Sequence, residues 1–327
     1  MDQRKNKLHH WLKQDLSYTI ISLEPASEDA SFRRYFRART NQGVFVAMDA
    51  PPEKENCQPF IESALALSNL DVHTPEIIAK NVDQGFILLE DLGDRVYLNE
   101  LQQDSQRLYG DAISALIKIQ SGSASTSSFP PKYSRTKLID EMSLFTQWYI
   151  SRHLGERINE VSLQIWEQTQ QLLVSACMAQ PQVWVHRDYH SRNLMITDRD
   201  SPGVIDFQDM VVGPIGYDLA SIFKDCYIEW PRSKQIEWLE EYRTKAISEL
   251  NIATFSLEDL TKWVDFAGLQ RHLKVLGIFC RLNYRDSKSH YLDDIPLVAK
   301  YILEVLDIYP ELEPFKVHFA KHIQAGL

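Results

Sequence analysis

The segment VWVHRDYHSRNLMITDRDSPGVIDFQD, residues 183–209, contains three residues whose oxygen-bearing side chains could act together: Asp188, Asn193 and Asp206. Asp188 follows a β-type run and a His-Arg pair, Asn193 comes five positions later, and Asp206 ends a short apolar run. Phosphoryl transfer needs one carboxylate to orient and deprotonate the acceptor hydroxyl, and oxygen ligands for Mg²⁺ beside the nucleotide phosphates. These three residues have the spacing of a kinase catalytic loop and metal-binding turn. The segment therefore predicts an ATP- and Mg²⁺-dependent kinase, with Asp188 as base and Asn193 and Asp206 as metal ligands.

A zinc site is the other metal chemistry that this segment suggests. His186 and His190 are four residues apart, the spacing of a zinc-binding helix, but the glutamate of H-E-x-x-H is absent. We therefore expect His186 to be a structural hydrogen-bonding residue and His190 to line the acceptor pocket.

The elements on either side of this segment differ in character. Short runs rich in aromatic and β-branched residues predict strands in the first ninety residues, and a helical spacing of apolar residues predicts one helix among them. Beyond Gly93, helical patterns dominate to the C-terminus. We predict an N-terminal lobe at 1–91 and a helical C-terminal lobe at 92–327. The predicted strands lie at 18–23, 33–39, 44–48, 76–79 and 86–90, and the N-terminal helix at 59–70.

Composition excludes several classes of protein. The net charge of −10 argues against a nucleic-acid binder, which needs a basic face. No apolar run approaches the roughly 20 residues of a membrane-spanning helix. The four cysteines are widely spaced, which fits neither a disulfide framework nor a zinc site. We expect a cytoplasmic protein with reduced thiols and no obligate protein partner.

Longer strings resemble a known group of enzymes. HRDYHSRNLM, GVIDFQD, GPIGYDLASIFKDCYIEWP and LGIFCRLNYRDSKSHYLDDIP are similar to sequences of the aminoglycoside phosphotransferase and choline kinase superfamily. Within it, they most resemble the kinases that phosphorylate the anomeric hydroxyl of N-acetylmuramate and N-acetylglucosamine in cell-wall recycling. The resemblance implies an α+β, two-lobed protein-kinase-like fold, with a small antiparallel-sheet N-lobe and a large helical C-lobe.

The resemblance also implies roles for individual residues. Asp188 would be the catalytic base, with Asn193 and Asp206 as Mg²⁺ ligands. The backbone of the hinge residues Glu90, Asp91 and Leu92 would contact adenine. Asp218 would support the catalytic loop from the start of a helix.

The chain departs from the family pattern where the nucleotide phosphates should bind. The usual third-strand lysine is replaced by Met48 or Asp49, and the loop DASFRRYFR lacks the usual glycines. We hypothesise that Arg34 contacts phosphate instead, although an arginine fork does not reproduce a lysine's point contact. The backbone N–H groups of Ser31 and Phe32 would assist. Glu62 matches the helix glutamate that normally pairs with the missing lysine, and it either pairs with an arginine or is a surface charge.

The short distance between Asp206 and Asp218 bears on the acceptor. The eleven intervening residues include no Ser or Thr, whereas a protein kinase needs a longer activation segment. A small molecule is therefore the expected substrate. A mixture of carboxylate, amide and aromatic groups suits an amino sugar, and an arginine suits the lactyl carboxylate of N-acetylmuramate. The candidate acceptor residues are His190, Asp225, Glu229, Trp230, Arg281, Arg285 and Asp286.

Two other functions remain open at this stage. The same chemistry could act on an aminoglycoside, choline or another metabolite alcohol. Alternatively, the missing lysine could mark a nucleotide-binding regulatory protein that has lost catalysis, although the presence of Asp188, Asn193 and Asp206 argues against this. The sequence does not distinguish N-acetylmuramate from N-acetylglucosamine, or ATP from GTP.

Overall fold

The computed structural model describes residues 2–27, 32–124 and 129–327. The chain divides into two compact units. The first contains Met1–Tyr97 and Asn193–Asp209, and the second, helical unit contains Leu98–Arg192 and Met210–Leu327.

The strands and the helices of the described chain are each numbered in chain order. The strands are β1 (Ile20–Ser27), β2 (Arg34–Thr40), β3 (Gly43–Asp49), β4 (Ile77–Asn81), β5 (Phe86–Glu90), β6 (Gln182–Val185), β7 (Leu194–Met195), β8 (Gly203–Val204) and β9 (Val211–Pro214). The helices are α1 (Gln3–His10), α2 (Gln58–Ser68), α3 (Tyr97–Ser121), α4 (Arg135–Leu144), α5 (Glu160–Ala179), α6 (Gly216–Phe223), α7 (Arg232–Glu249), α8 (Leu257–Asp286), α9 (Ile295–Ile308) and α10 (Glu313–Gln324).

The first unit is built on a five-stranded antiparallel sheet with the order β1-β2-β3-β5-β4. Side chains of a strand alternate between the two faces. On one face of this sheet the alternate residues are apolar, and helix α1 and the turn after it cover that face. This core comprises Leu8, Trp11, Leu12, Phe36, Ala38, Ala47, Phe86 and Leu88. The α+β prediction is confirmed, with an antiparallel sheet in one unit and a predominantly helical remainder.

The β7–β8 hairpin belongs to the first unit although it lies a hundred residues further along the chain. Ile196 N donates to Arg95 O at 2.7 Å, and Val204 N donates to His73 O at 2.8 Å. These backbone hydrogen bonds attach the hairpin to the first unit, and the lobe boundary at 91/92 stays a prediction. The pattern along the sequence could locate the hairpin but not the segments to which it bonds.

The helical unit is organised around α8, a 30-residue helix that begins with a capping box formed by Ser256 and Asp259. Among the residues that the structure describes, no helix is both long and apolar enough to span a lipid bilayer. All four cysteines lie in described segments, are buried and carry free thiols.

A buried carboxylate on α8 joins three elements of the helical unit. Asp265 accepts hydrogen bonds from Lys224 at 2.7 Å, from Arg232 at 2.6 Å and from Tyr309 at 2.8 Å. The side chains of Asp265 and Lys224 are 1% and 2% exposed, respectively. A cation buried so completely depends on its carboxylate partner, because the protein interior solvates charge poorly.

We expect Asp265→Ala to lower the free energy of unfolding by about 3–5 kcal/mol, because it leaves the charge of Lys224 buried without its carboxylate partner. Urea unfolding would measure the loss. The matched control is Glu237→Ala, which breaks an exposed ion pair with Lys234 and should change stability by less than about 1 kcal/mol. Equal losses in the two variants would contradict this account of the cluster.

Candidate active site

The catalytic loop leaves β6 with a turn that the helical unit holds in place. Arg187 adopts a positive φ of 78°, which a non-glycine residue rarely does without external support. That support comes from Asp218 in the first turn of α6, which accepts hydrogen bonds from the backbone N–H groups of His186 at 2.7 Å and Arg187 at 2.9 Å. Burial raises the pKa of Asp218 to about 7, although the two N–H donors act in the opposite direction. Asp218 thus fixes the backbone immediately before Asp188.

Asp188 lies among cationic side chains of the helical unit. Its burial alone would raise its pKa, but the positive charges of Lys274 and Arg271 outweigh that effect, and the pKa falls well below its ordinary value. Lys274 and Arg271 are three residues apart on α8, so they occupy the same face of that helix. Asp188 is therefore ionised throughout the physiological pH range.

A second buried carboxylate shares these cations. Glu141 on α4 pairs with Arg187 at 2.5 Å and with Lys274 at 3.4 Å. Burial acts to raise the pKa of Glu141, but the charges of Lys274 and Arg187 outweigh it and lower the pKa. Glu141 is thus a counter-ion that lets two cations remain buried beside the catalytic loop.

The sequence interpretation missed Glu141, Arg271 and Lys274. A signal for the two cations was present, because the charged run RHLK interrupts an otherwise apolar stretch of α8 and both cations recur at helical spacing. Nothing in the local pattern marked Glu141, which lies 133 residues before Lys274 in the chain.

The two predicted metal ligands lie side by side at the base of the β7–β8 hairpin in the first unit. Ile205 N donates to Asn193 O at 3.1 Å, which aligns the two ends of the hairpin. Asn193 Nδ2 then donates to Asp206 Oδ2 at 3.3 Å, and Gln208 Nε2 donates to Asp206 Oδ1 at 2.8 Å. Asp206 has a positive φ of 65°, a strained conformation that is frequent at functional sites.

These side chains fit a magnesium ion. Asn193 provides an amide and Asp206 a carboxylate. Rotation of the Asn193 amide would exchange its nitrogen and oxygen, so that its oxygen could bind the same ion as Asp206. Mg²⁺ usually takes one or two protein oxygens and completes its octahedron with phosphates and water. Within the described segments, no cluster of three or more His, Cys, Asp or Glu side chains suited to a metal occurs.

The predicted adenine hinge follows β5 and is tied to β2. Arg37 donates to the Asp91 carboxylate at 2.9 Å and to Gly93 O at 2.9 Å, while Gly93 N donates to Asp91 Oδ1 at 3.0 Å. Glu90 Oε2 accepts from Glu76 N at 3.3 Å. Arg37 was not among the predicted site residues. Contact of Glu90, Asp91 and Leu92 with adenine stays a prediction.

Arg34 forms ion pairs within the first unit. Its guanidinium pairs with Asp49 at 2.5 Å and also with Asp2, and Arg4 pairs with the same Asp49. Asp49 is fully buried, so it requires cationic partners. This gives Arg34 a role in attaching α1 to the sheet, and its contact with phosphate stays a prediction.

The other residues predicted near phosphate have other contacts in the structure. Phe32 N donates to Glu55 Oε1 at 3.1 Å, and Ser31 lies outside the described residues. Glu62 is exposed and accepts from Gln58 Nε2 at 2.8 Å, so its partner is a glutamine rather than an arginine. Met48, one of the two candidates for the lysine's place, is fully buried.

Two predicted acceptor residues lie next to the catalytic loop. Asp225 accepts from Ser191 N at 2.9 Å and from Tyr227 N at 3.1 Å, and so joins the loop to the segment after α6. His190 makes an edge-to-face contact with Tyr227 at 5.3 Å. Burial lowers the pKa of His190, and its buried Nδ1 has no hydrogen-bond partner in the described protein. Contact of His190 and Asp225 with the acceptor stays a prediction.

Four of the other acceptor candidates, Glu229, Trp230, Arg285 and Asp286, have contacts elsewhere, whereas the buried Nε of Arg281 has no hydrogen-bond partner among the described residues. Glu229 forms an exposed ion pair with Lys300, and Arg285 pairs with Asp286 at 2.9 Å. Trp230 Nε1 donates to Tyr109 OH at 2.7 Å within an aromatic cluster. Burial lowers the pKa of Arg281. Their roles in acceptor binding stay predictions.

Comparison with known proteins decides the family. A model described as the phosphotransferase enzyme family matches residues 22–252, a range that includes the catalytic loop and the hairpin with the metal ligands. The chain belongs to this phosphotransferase family. The predicted family and the prediction of an enzyme are both confirmed, and membership implies ATP use and a small-molecule acceptor.

Two curated relatives match this phosphotransferase over almost their whole length. One, from Pseudomonas putida, is 42% identical over 336 residues, covering 99% of the chain and 98% of the relative. The other, from Pseudomonas aeruginosa, is 39% identical over 322 residues, covering 95% and 94%. Both are named N-acetylmuramate/N-acetylglucosamine kinase.

A solved structure shows the same fold. A choline kinase from Streptococcus pneumoniae superposes with a TM-score of 0.68 at 12% identity, covering 94% of the phosphotransferase and 100% of that chain. At this identity the likeness shows the fold alone.

Proposed function

We propose that this phosphotransferase is a cytoplasmic, ATP- and Mg²⁺-dependent kinase that phosphorylates the anomeric hydroxyl of N-acetylmuramate, N-acetylglucosamine or both in peptidoglycan recycling. The observation that carries the proposal is the 42% identity to a kinase of that name over 99% of this chain. The match includes the helical unit, in which the acceptor residues are predicted. Free, buried thiols at all four cysteines suit a reducing compartment.

Asp188 is the group proposed to act on the acceptor. Because its pKa is held low, it remains a carboxylate and can accept a hydrogen bond from the sugar hydroxyl. In a loose phosphoryl-transfer transition state the nucleophile needs positioning more than early deprotonation. A weakly basic carboxylate is adequate here, since an anomeric hydroxyl is more acidic than an ordinary alcohol. Asp188 orients this hydroxyl and receives its proton as the bond between the hydroxyl oxygen and the γ-phosphorus of ATP forms and the bond from that phosphorus to the β,γ-bridging oxygen breaks, which releases ADP.

Asn193 and Asp206 are the residues proposed to hold Mg²⁺. When bound, the ion would offset negative charge on the nucleotide phosphates. Gln208 donates to the Asp206 carboxylate and so fixes its orientation, as ligand-supporting residues commonly do. The strained backbone of Asp206 is consistent with a side chain whose direction is set by function.

The curated relatives favour an amino sugar over the cationic alternatives, because both carry the name N-acetylmuramate/N-acetylglucosamine kinase. Lys274, Arg271 and Arg187 contribute positive charge at Asp188, but Glu141 pairs with both Arg187 and Lys274, so these charges do not by themselves select the acceptor. The regulatory alternative rests on the missing lysine alone, and the intact pairing of Asn193 with Asp206 argues against it.

The role of Lys274 leads to a pH-dependent prediction. With Lys274 replaced by methionine, Asp188 loses a major influence that lowers its pKa. As pH falls, Asp188 should then become protonated sooner, so the acid-side inflection of kcat/KM should move upward by about 1–3 pH units. A pH–rate profile would measure it.

The matched control for this prediction is Lys262→Met, at an exposed lysine that pairs with Glu311. Its profile should coincide with that of the wild type. A Lys274→Met profile with the wild-type inflection would show that Lys274 does not set the ionisation of Asp188.

A panel of acceptors tests the proposed function. Purified protein is incubated with ATP, Mg²⁺ and, separately, N-acetylmuramate, N-acetylglucosamine, an aminoglycoside or choline, and ADP release is followed. We expect turnover with at least one of the two sugars and none with the cationic acceptors. Turnover confined to an aminoglycoside or choline would replace the proposed acceptor. Nucleotide binding without turnover on any of the four would favour the regulatory alternative.

A further inference from the structure

Arg192 is one of the arginines of the helical unit that have no carboxylate within hydrogen-bond distance among the described residues. Its side chain is 39% exposed, and its nearest carboxylate oxygen, on Asp294, is 3.8 Å away, too far for a hydrogen bond. In the described parts of the chain, no hydrogen-bond acceptor for its guanidinium is found. Several other arginines of this unit have close carboxylate partners at 2.5–2.9 Å: Arg187 with Glu141, Arg232 with Asp265, Arg243 with Glu240 and Arg285 with Asp286.

Although it lacks a close carboxylate partner, Arg192 is well positioned. Its guanidinium carbon lies 3.6 Å from the centre of the Tyr227 ring, a distance at which a flat guanidinium stacks on an aromatic face. Stacking fixes the plane of the guanidinium and leaves the N–H groups at its edge available. This arrangement suits two-point hydrogen bonding to a carboxylate.

The contacts of Tyr227 place this arginine beside the catalytic loop. Asp225 accepts from the backbone of both Tyr227 and Ser191, and the Tyr227 ring meets the edge of His190. On the same loop, the buried Nδ1 of His190 is a second polar group with no hydrogen-bond partner among the residues that the structure describes. Polar groups buried without partners are uncommon unless a ligand or water meets them.

We propose that Arg192 binds the carboxylate of the acceptor and thereby determines whether a sugar acid is accepted as well as the neutral sugar. This inference rests on the proposed function. It assigns recognition of one of the two proposed substrates, N-acetylmuramate, to Arg192. N-acetylmuramate differs from N-acetylglucosamine by a lactyl ether that carries a carboxylate, and this group would replace Asp294 as the partner of Arg192. With the neutral sugar, Arg192 stays beside Asp294. Arg285, an earlier candidate for this role, already has Asp286 as its partner.

The test compares two sugars in one variant. Arg192→Gln removes the charge but keeps a polar side chain. We expect kcat/KM for N-acetylmuramate to fall about 10–100-fold, the usual effect of losing a hydrogen bond to a charged group. For N-acetylglucosamine, kcat/KM should change by no more than about threefold, and the KM for ATP should be unaltered. Arg192→Lys should recover only part of the loss, because a lysine lacks the planar fork.

A modified substrate gives an independent measurement. The methyl ester of N-acetylmuramate has the same shape but no charge, so the wild type should handle it less well than the acid. The Arg192→Gln variant should treat the acid and the ester alike. Arg243→Gln is the matched control, because this partly buried arginine pairs with Glu240 of its own helix α7, and it should leave the ratio between the two sugars unchanged.

The outcomes separate this inference from the proposed function. If the wild type phosphorylates neither sugar, the proposed function fails. If it phosphorylates both and Arg192→Gln lowers both rates equally, or raises the KM for ATP, Arg192 serves the loop or the nucleotide and the inference is overturned. Wild-type activity on N-acetylglucosamine alone would also overturn it.

Discussion

An Asp188→Asn variant should lose about 10²–10⁴-fold in kcat, the usual contribution of a positioned general base. Asparagine has nearly the same shape but cannot accept the hydroxyl proton, so the acceptor would lose both its orientation and its proton acceptor. The KM for ATP should change little, because Asp188 is not proposed to contact the nucleotide. Steady-state kinetics with the active sugar would measure both constants.

A folding control is needed because Asp188 offsets buried positive charge. Removing its negative charge leaves Lys274 and Arg271 with less compensation, so some loss of thermal stability should accompany the loss of activity. Asp140→Asn, at an exposed position on α4, should retain both activity and stability. Normal turnover by a folded Asp188→Asn variant would refute the base assignment.

The second large effect is expected at the proposed metal site. Asp206→Asn should lower kcat by about 10²–10³-fold, the range seen when one transition-state charge stabiliser is removed. It should also raise the Mg²⁺ concentration needed for half-maximal activity. The change replaces a negative ligand with a neutral amide, and the donors Asn193 and Gln208 would no longer face a carboxylate.

A measurement without turnover separates metal binding from catalysis. A ligand that binds only the folded protein raises its unfolding temperature with concentration. In the presence of ADP, Mg²⁺ should stabilise the wild type and the Asp198→Asn control, whose side chain lies exposed between β7 and β8. Mg²⁺ should raise the unfolding temperature of the Asp206→Asn variant far less. Equal stabilisation of all three proteins would contradict the assignment of Asp206, and chelation of Mg²⁺ should abolish wild-type activity.

The parts of the fold that sequence predicted best depend on local pattern. Short runs rich in aromatic and β-branched residues predicted the strands now seen as β2 and β3, and the spacing of Phe60, Ala64 and Leu67 predicted the buried face of α2. The strand–turn–strand pattern also placed Asn193 and Asp206 on either side of a short hairpin, as observed, while their role as metal ligands stays a prediction. The strand predicted at 18–23 begins at Ile20 and runs on to Ser27, because pairing with β2 extends it beyond its apolar residues.

The electrostatic surroundings of Asp188 were beyond local pattern. Lys274 and Arg271 lie more than eighty residues from Asp188 in the chain. Their positive charges lower the pKa of Asp188 only because α8 packs beside the catalytic loop. The same holds for Arg34, whose strand position was clear but whose partners, Asp49 and Asp2, depend on the docking of α1. Arg192 adjoins Asn193 in the sequence, and only its stacking on Tyr227 distinguishes it from an ordinary surface arginine.

The position of the transferred phosphate is the most direct test of the central claim, that Asp188 directs phosphate onto an anomeric hydroxyl. N-acetylglucosamine labelled with ¹³C at its anomeric carbon is incubated with the enzyme, ATP and Mg²⁺, and the product is analysed by ¹³C and ³¹P nuclear magnetic resonance. We predict a new phosphorus signal coupled to the labelled carbon and loss of the sugar's reducing end. A phosphorylated product that shows no such coupling and keeps its reducing end would contradict the account.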